Sequence, residues 1–187
     1  GGHYNHDINI TLDGHGYKID TGVSGCENPD VKASPNIGFG SVNGKFTVKD
    51  VVAPNDLVFG ISKTYDDNLS DCRSDAGQAD SLTVENCTFY GSNVAYAGNV
   101  KSITYNNNKF LLTENPNNGA DSYPLWYKFD WIVKNFAFTG NTVKAQRALN
   151  LARFMEDSVI DINDNNFTIA NTENPAKSAA IMLAENH

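Results

Sequence analysis

No apolar run in this chain approaches the roughly 20 residues that a membrane-crossing helix needs, so membrane insertion is not expected. Helix-forming stretches are equally scarce. Asn, Asp, Gly and Thr crowd the intervals between apolar residues, and all four are poor helix formers. There are only three cysteines, Cys26, Cys72 and Cys87, an odd number and too few for a dense disulfide framework. A Cys26–Cys72 bridge is open in an oxidising compartment, whereas Cys87 reads as a small buried hydrophobe. The chain has no Cys-x-x-Cys and no Cys/His cluster, so no zinc site is expected. Positive charge is short too: 14 Lys and Arg against 22 Asp and Glu give a net charge of −8. That balance argues against a nucleic-acid backbone or an anionic membrane as partner and favours neutral or cationic ligands. No signal peptide is visible, and Gly1-Gly2 is set aside as a processing remnant. At 187 residues the chain suits a single domain, 1–187, with a substantial core.

In place of these features stands a repeat. Ser81-Leu-Thr-Val-Glu-Asn-Cys-Thr-Phe-Tyr90 sets apolar residues at Leu82 and Val84, a turn-former at Asn86 and a further apolar residue at Phe89. The spacing returns as Ile10, Leu12, Gly14, Tyr17 and as Phe46, Val48, Asp50, Ala53. It returns again as Ile103, Tyr105, Asn107, Phe110, as Phe136, Phe138, Gly140, Val143, and as Ile160, Ile162, Asp164, Phe167. Each copy is followed by a second alternating pair: Ile37/Phe39, Leu57/Phe59, Val94/Tyr96, Leu125/Tyr127, Leu149/Leu151 and Ile181/Leu183. Residues 143–156 also allow a helical pattern, but Leu149 and Leu151 fall where the repeat requires a strand. A unit of strand, bend, strand, bend cannot close a core alone. Stacked on its neighbours it can, which predicts an all-β parallel solenoid of about six coils with inserted loops.

The sixth position of the motif reads His15, Val51, Cys87, Asn108, Asn141, Asn165. Stacked asparagines hydrogen-bond up and down parallel strands, so this row is read as structural. The opening Ile10-Thr-Leu-Asp-Gly-His-Gly-Tyr-Lys-Ile-Asp20 resembles the first coil of right-handed parallel β-helix proteins of the pectin-lyase-like superfamily. Asn86-Cys-Thr-Phe89 and Gly140-Asn-Thr-Val143 are similar to the Asn-containing turns of their coils. The resemblance extends from about Ile8 to the end and concerns the fold, which hosts many unrelated activities. It implies a polysaccharide-binding polar sheet face. The enzymes' own signatures are not matched. Only Arg73, Arg147 and Arg153 could supply a lyase's basic arginine, and none has that context. Gly14-His-Gly16, Asp66-Asp67 and Asn141-Thr-Val143 stand in the reverse of the polygalacturonase order and lack its final Asp. Gly14-His15-Gly16 is therefore expected to be a bend.

Insertions at 20–36, 114–124 and 171–178, and a long return at 62–80, mark where a site could be presented by loops on a rigid scaffold. Asp121-Ser-Tyr-Pro-Leu-Trp-Tyr-Lys-Phe-Asp-Trp131 gathers both tryptophans. In one reading Tyr123, Trp126 and Trp131 are stacking platforms for a sugar, with Asp121, Lys128 and Asp130 as polar partners. In the other these aromatics cap the core beneath a loop. Asp66, Asp67, Asn68 and Asp71 could ligate calcium, although the stretch lacks the glycine and the final glutamate of an EF-hand loop. Asp130, Glu156, Asp157 and Asp161 are the carboxylates available to a glycoside hydrolase or polysaccharide lyase, which needs two of them at set separations. The favoured expectation is a secreted or cell-surface bacterial domain that binds carbohydrate without completing a catalytic site. An enzyme and a passive adhesin stalk are the alternatives. The ends of the stack, lacking polar caps, are expected to be covered by further coils of a longer protein, by a partner chain or by a second copy.

Overall fold

The computed structural model describes residues 8–20, 36–39, 44–55, 57–61, 79–91, 100–113, 125–128, 133–152, 157–172, 175 and 178–184. These residues are all-β. No α-helix occurs among them, and every strand pairing is parallel.

Sixteen described strands, numbered in chain order, form four sheets. The first holds β1 (Asn9–Asp13), β3 (Lys45–Lys49), β6 (Ala79–Glu85), β8 (Val100–Asn106), β11 (Asn135–Thr139) and β14 (Val159–Asn163), side by side in that order. The second runs from β4 (Val52–Ala53) through β7 (Thr88–Phe89), β9 (Lys109–Leu111) and β12 (Thr142–Ala145) to β15 (Asn166–Ile169). The third holds β10 (Leu125–Lys128), β13 (Arg147–Ala152) and β16 (Ala179–Ala184), and the fourth pairs β2 (Asn36–Phe39) with β5 (Val58–Ile61). In every sheet spatial order follows chain order.

The register is the one the repeat anticipates. Ile10, Phe46, Leu82, Ile103, Phe136 and Ile160 stand in one row across the first sheet, and Leu12, Val48, Val84, Tyr105, Phe138 and Ile162 in the next. Leu125, Leu149 and Ile181 are likewise aligned. Alternation turns one face of each strand inward, and the inner residues of β3, β6, β8 and β11 are buried. They meet Ala53, Phe89, Phe110 and Val143 of the second sheet and Leu149 and Leu151 of the third in one core. Aromatics stack along this core, with ring centroids 5.2 Å apart for Phe89–Phe110, 5.8 Å for Phe110–Phe138 and 6.2 Å for Phe138–Phe167. Burying one such ring contributes roughly 1.5–3 kcal/mol, and each stacked pair about 1 kcal/mol more.

Between first and second sheets the chain turns through one left-handed residue in each of the last five repeats: Asp50, Asn86, Asn107, Gly140 and Asp164, with φ from 53° to 66°. Asn, Asp and Gly tolerate that conformation best, which is why the bend is written in these residue types. The next position carries the asparagine row. Asn108 Oδ1 accepts from the Cys87 amide at 2.9 Å, Asn141 Oδ1 from the Asn108 amide at 2.8 Å, and Asn165 Oδ1 from the Asn141 amide at 2.8 Å. Each side-chain amide also donates to a carbonyl of the preceding repeat, Asn108 to Val84, Asn141 to Tyr105 and Asn165 to Phe138. Amides turned into the corner are thereby satisfied without water, as the row predicts.

Three expectations need correcting. Where two strands per repeat are expected, three are described in the second, fourth, fifth and sixth repeats, because the segment after the bend is a strand of its own. A strand as short as Thr88–Phe89 carries one inward apolar residue and so shows no alternation to read. In the first repeat Ile19, not Tyr17, packs against the core, and Tyr17 is 78% exposed. The bend there is two residues longer, since Asp13 aligns with Lys49 but Lys18 with Val52. His15 takes the left-handed place (φ 48°) and leaves the ladder row. Finally, Ile37 aligns with Phe59 and Phe39 with Ile61, so the β5 pattern starts two residues later than Leu57.

Candidate functional site

The outward face of the first sheet carries two aligned rows of mostly polar residues across six strands. Its central row is Thr11, Thr47, Thr83, Thr104, Ala137 and Asp161; beside it runs Asp13, Lys49, Glu85, Asn106, Thr139 and Asn163. These side chains project away from the core because they alternate with the buried rows. Neighbouring strands set them about 4.8 Å apart.

The face is internally connected. Lys49 Nζ lies 2.9 Å from Asp13 Oδ2, and the Asp13 carboxylate also accepts from the His15 amide at 3.0 Å. Hydrogen bonding to Lys49 and then to that amide holds the Asp13 carboxyl below the usual carboxylate range, and the same contact raises Lys49. Thr139 donates to Asn106 at 3.2 Å, Asn135 to Ser102 at 3.2 Å, and Asn163 to Asp161 at 2.5 Å. Lys101 and Asp80 pair at 3.0 Å at the near end of the strands. Hydroxyls, amides and one ion pair in straight rows can bind a ligand that offers hydroxyl groups at regular intervals.

Its chemistry beyond binding is limited by which groups meet. Asp161 is exposed on β14 and Asp157 exposed in the turn before it, while Glu85 lies three strands from Asp161, about 14 Å away by interstrand spacing. Glu156 and Asp130, the other candidate carboxylates, lie outside the described residues. Cys87, the free cysteine among the described residues, is buried; burial pushes its thiol up to about 11, so it is no nucleophile near neutral pH. Among the described residues no group of three or more His, Cys, Asp or Glu side chains could hold a metal. The calcium candidates Asp66, Asp67, Asn68 and Asp71 lie outside them, as do Cys26 and Cys72.

Of the aromatic stretch, Asp121, Tyr123, Asp130 and Trp131 also fall outside the described residues. Trp126 and Lys128 lie in β10, where Trp126 aligns with Asn150 of β13 and Met182 of β16, between the rows of Leu149 and Leu151. No helix among the described residues is long and apolar enough to cross a membrane. Gly14-His15-Gly16 forms the bend expected of it, with the His15 side chain exposed. The Asp13–Lys49 pair was available from the alternation, once the two rows were aligned. No protein-family model, no curated protein and no solved structure matches the chain.

Proposed function

We propose that the chain winds as a right-handed parallel β-helix of the pectin-lyase-like kind and binds carbohydrate non-catalytically along the outward face of its first sheet. The winding is supported by the strand order: in the last three repeats successive strands move from first sheet to second to third, and in every repeat the chain comes back to the first sheet beside the strand before, in parallel. A parallel return requires a full crossover, and crossovers of this kind are right-handed almost without exception. A single domain, 1–187, in a secreted or surface protein goes with this reading.

The observation that carries the binding role is the pair of polar rows from β1 to β14, broken only at Ala137, whose polar side chains recur at a polymer-like interval. A linear polysaccharide lying across the strands would meet the same donor and acceptor types at each step. The aromatic stretch offers a second subsite on the same class of ligand. There Tyr123, Trp126 and Trp131 would stack on sugar rings, flanked by Asp121, Lys128 and Asp130.

A polysaccharide panel tests both parts. Binding lost in Thr83→Ala/Thr104→Ala with Trp126→Ala intact supports the sheet face, and the reverse result moves the site to the aromatic stretch. Binding of no glycan by the wild-type chain leaves a passive stalk and removes the proposal. Release of reducing ends or unsaturated sugars would instead make the protein an enzyme, with Asp130, Glu156, Asp157 and Asp161 the first carboxylates to substitute.

A further inference from the structure

Much of the polar outward face of the first sheet is bonded to itself. Asp13 pairs with Lys49, Thr139 with Asn106, Asn135 with Ser102 and Asp161 with Asn163. A ligand reaching for these groups has contacts to break before it gains any of its own. Thr11, Thr47, Thr83, Thr104 and Glu85 differ. None of the five side chains has a hydrogen bond or ion pair with another described residue. The four threonines align across β1, β3, β6 and β8, and Glu85 lies two residues beyond Thr83 on the same strand and the same face.

Glu85 is half-buried and aligns with Lys49 on one side and Asn106 on the other. Lys49 is bound to Asp13, and Asp50 in the bend acts on it electrostatically as well. Three carboxylates thus gather about one ammonium. Asp13 is engaged and Asp50 sits in the bend, so Glu85 is the carboxylate that the rows themselves leave open. Lys45, also on the outward side of β3, stands at the opposite end of that strand, roughly 14 Å from Glu85 by strand geometry.

We propose that Glu85 sets the ligand class of this face: it accepts hydrogen bonds from the hydroxyls of an uncharged polysaccharide and turns anionic polysaccharides away. The inference rests on the reading of the face as a carbohydrate site. An ionised carboxylate only accepts, and a sugar hydroxyl donates to it in a charge-assisted bond. The neighbouring threonine hydroxyls both donate and accept, so they serve the adjacent sugar hydroxyls in either sense. A uronate or sulfate group at the same place would meet a like charge, with the nearest ammonium already taken by Asp13. Such repulsion is a common source of selectivity in polar sites.

Matched polymers test this: dextran, hydroxyethyl cellulose and mannan, each beside its carboxymethyl derivative, titrated into the 187-residue chain at low salt. The wild type should bind at least one neutral polymer about tenfold or more tighter than its carboxymethyl form. Glu85→Gln, of the same shape, should narrow that preference to within about threefold. Asp164→Asn makes the same change of net charge in the bend of the last repeat, where asparagine is equally at home, and should keep the preference. Should Glu85→Gln lose its sheet circular dichroism, Glu85→Thr takes its place, since that row carries threonine at Thr139. Equal binding of neutral and carboxymethyl polymers by the wild type overturns the proposal. So does a preference that survives in Glu85→Gln, or one that Asp164→Asn abolishes equally. In those cases the face remains the carbohydrate site if Thr83→Ala/Thr104→Ala still loses binding. A wild type that binds none of the polymers removes both the face and the role of Glu85.

Discussion

Asn108 shows how much one side chain does at the bend. Its oxygen satisfies the Cys87 amide and its nitrogen the Val84 carbonyl, both groups of the preceding repeat and both inside the protein. Asn108→Ala leaves the buried Cys87 amide without its acceptor, at about 1–3 kcal/mol, and takes from the Val84 carbonyl the donor it has beyond the sheet ladder. A loss on the order of 3 kcal/mol is expected from urea midpoints, with the cooperativity of unfolding retained. The Asp13–Lys49 pair works differently because both groups are at the surface. Lys49 lowers the Asp13 carboxyl from 3.8, so this contribution is whole above that value, fades as pH falls through the lowered one, and is absent below it. Lys49 is raised from 10.5, so its contribution is whole below 10.5 and lost as pH climbs through the raised value. The stability involved is small and screened by salt. An NMR titration should place the Asp13 midpoint below the ordinary carboxylate range in the wild type and return it toward that range in Lys49→Met.

At the scale of the element, strand β9 has three residues and one buried aromatic, Phe110, which touches Phe89, Phe138 and Tyr105. Removing it interrupts the stack in its middle. Phe110→Ala should cost about 3–5 kcal/mol in equilibrium unfolding, more than the same change at Phe167, which is partly buried near the last repeat. Gly14 is the other sensitive point: a Cβ there would run into the Asp50 carbonyl oxygen and Val51. The long strands were legible because Leu82/Val84 and Phe136/Phe138 alternate cleanly and recur. The short strands were not, since β4 and β7 each turn one residue inward and periodicity needs at least two. The slip from Ile19 to Tyr17 has a similar origin. Both residues are apolar enough to fit, and nothing local states that Gly14-His15-Gly16 adds two residues to the bend. The polar rows of the face could be written down from the sequence, because they are the complement of the apolar ones. Which ligand they hold could not, because hydroxyls on a wet sheet serve solvation and recognition alike.

For the whole molecule, each strand of the first sheet pairs only with the strands before and after it in the repeat order, so stability is expected to be set by neighbours. Repeats in the middle touch two others and end repeats one, so protection should be graded. Amide hydrogen exchange should be slowest in β8 and β11 and fastest in β1 and β14. Uniform protection across all six strands would contradict the neighbour picture. The asparagine row gives this gradation a direction. Each asparagine serves the repeat before it, so taking away the last repeat would strip the Asn141 amide of its side-chain acceptor, Asn165. Taking away an early repeat removes a backbone acceptor from the one after it, since the Lys109 amide bonds the Cys87 carbonyl and the Thr142 amide the Asn108 carbonyl. Both ends are therefore expected to fray, and only the side-chain part of the dependence has a direction: the amide of each repeat leans on the asparagine of the next.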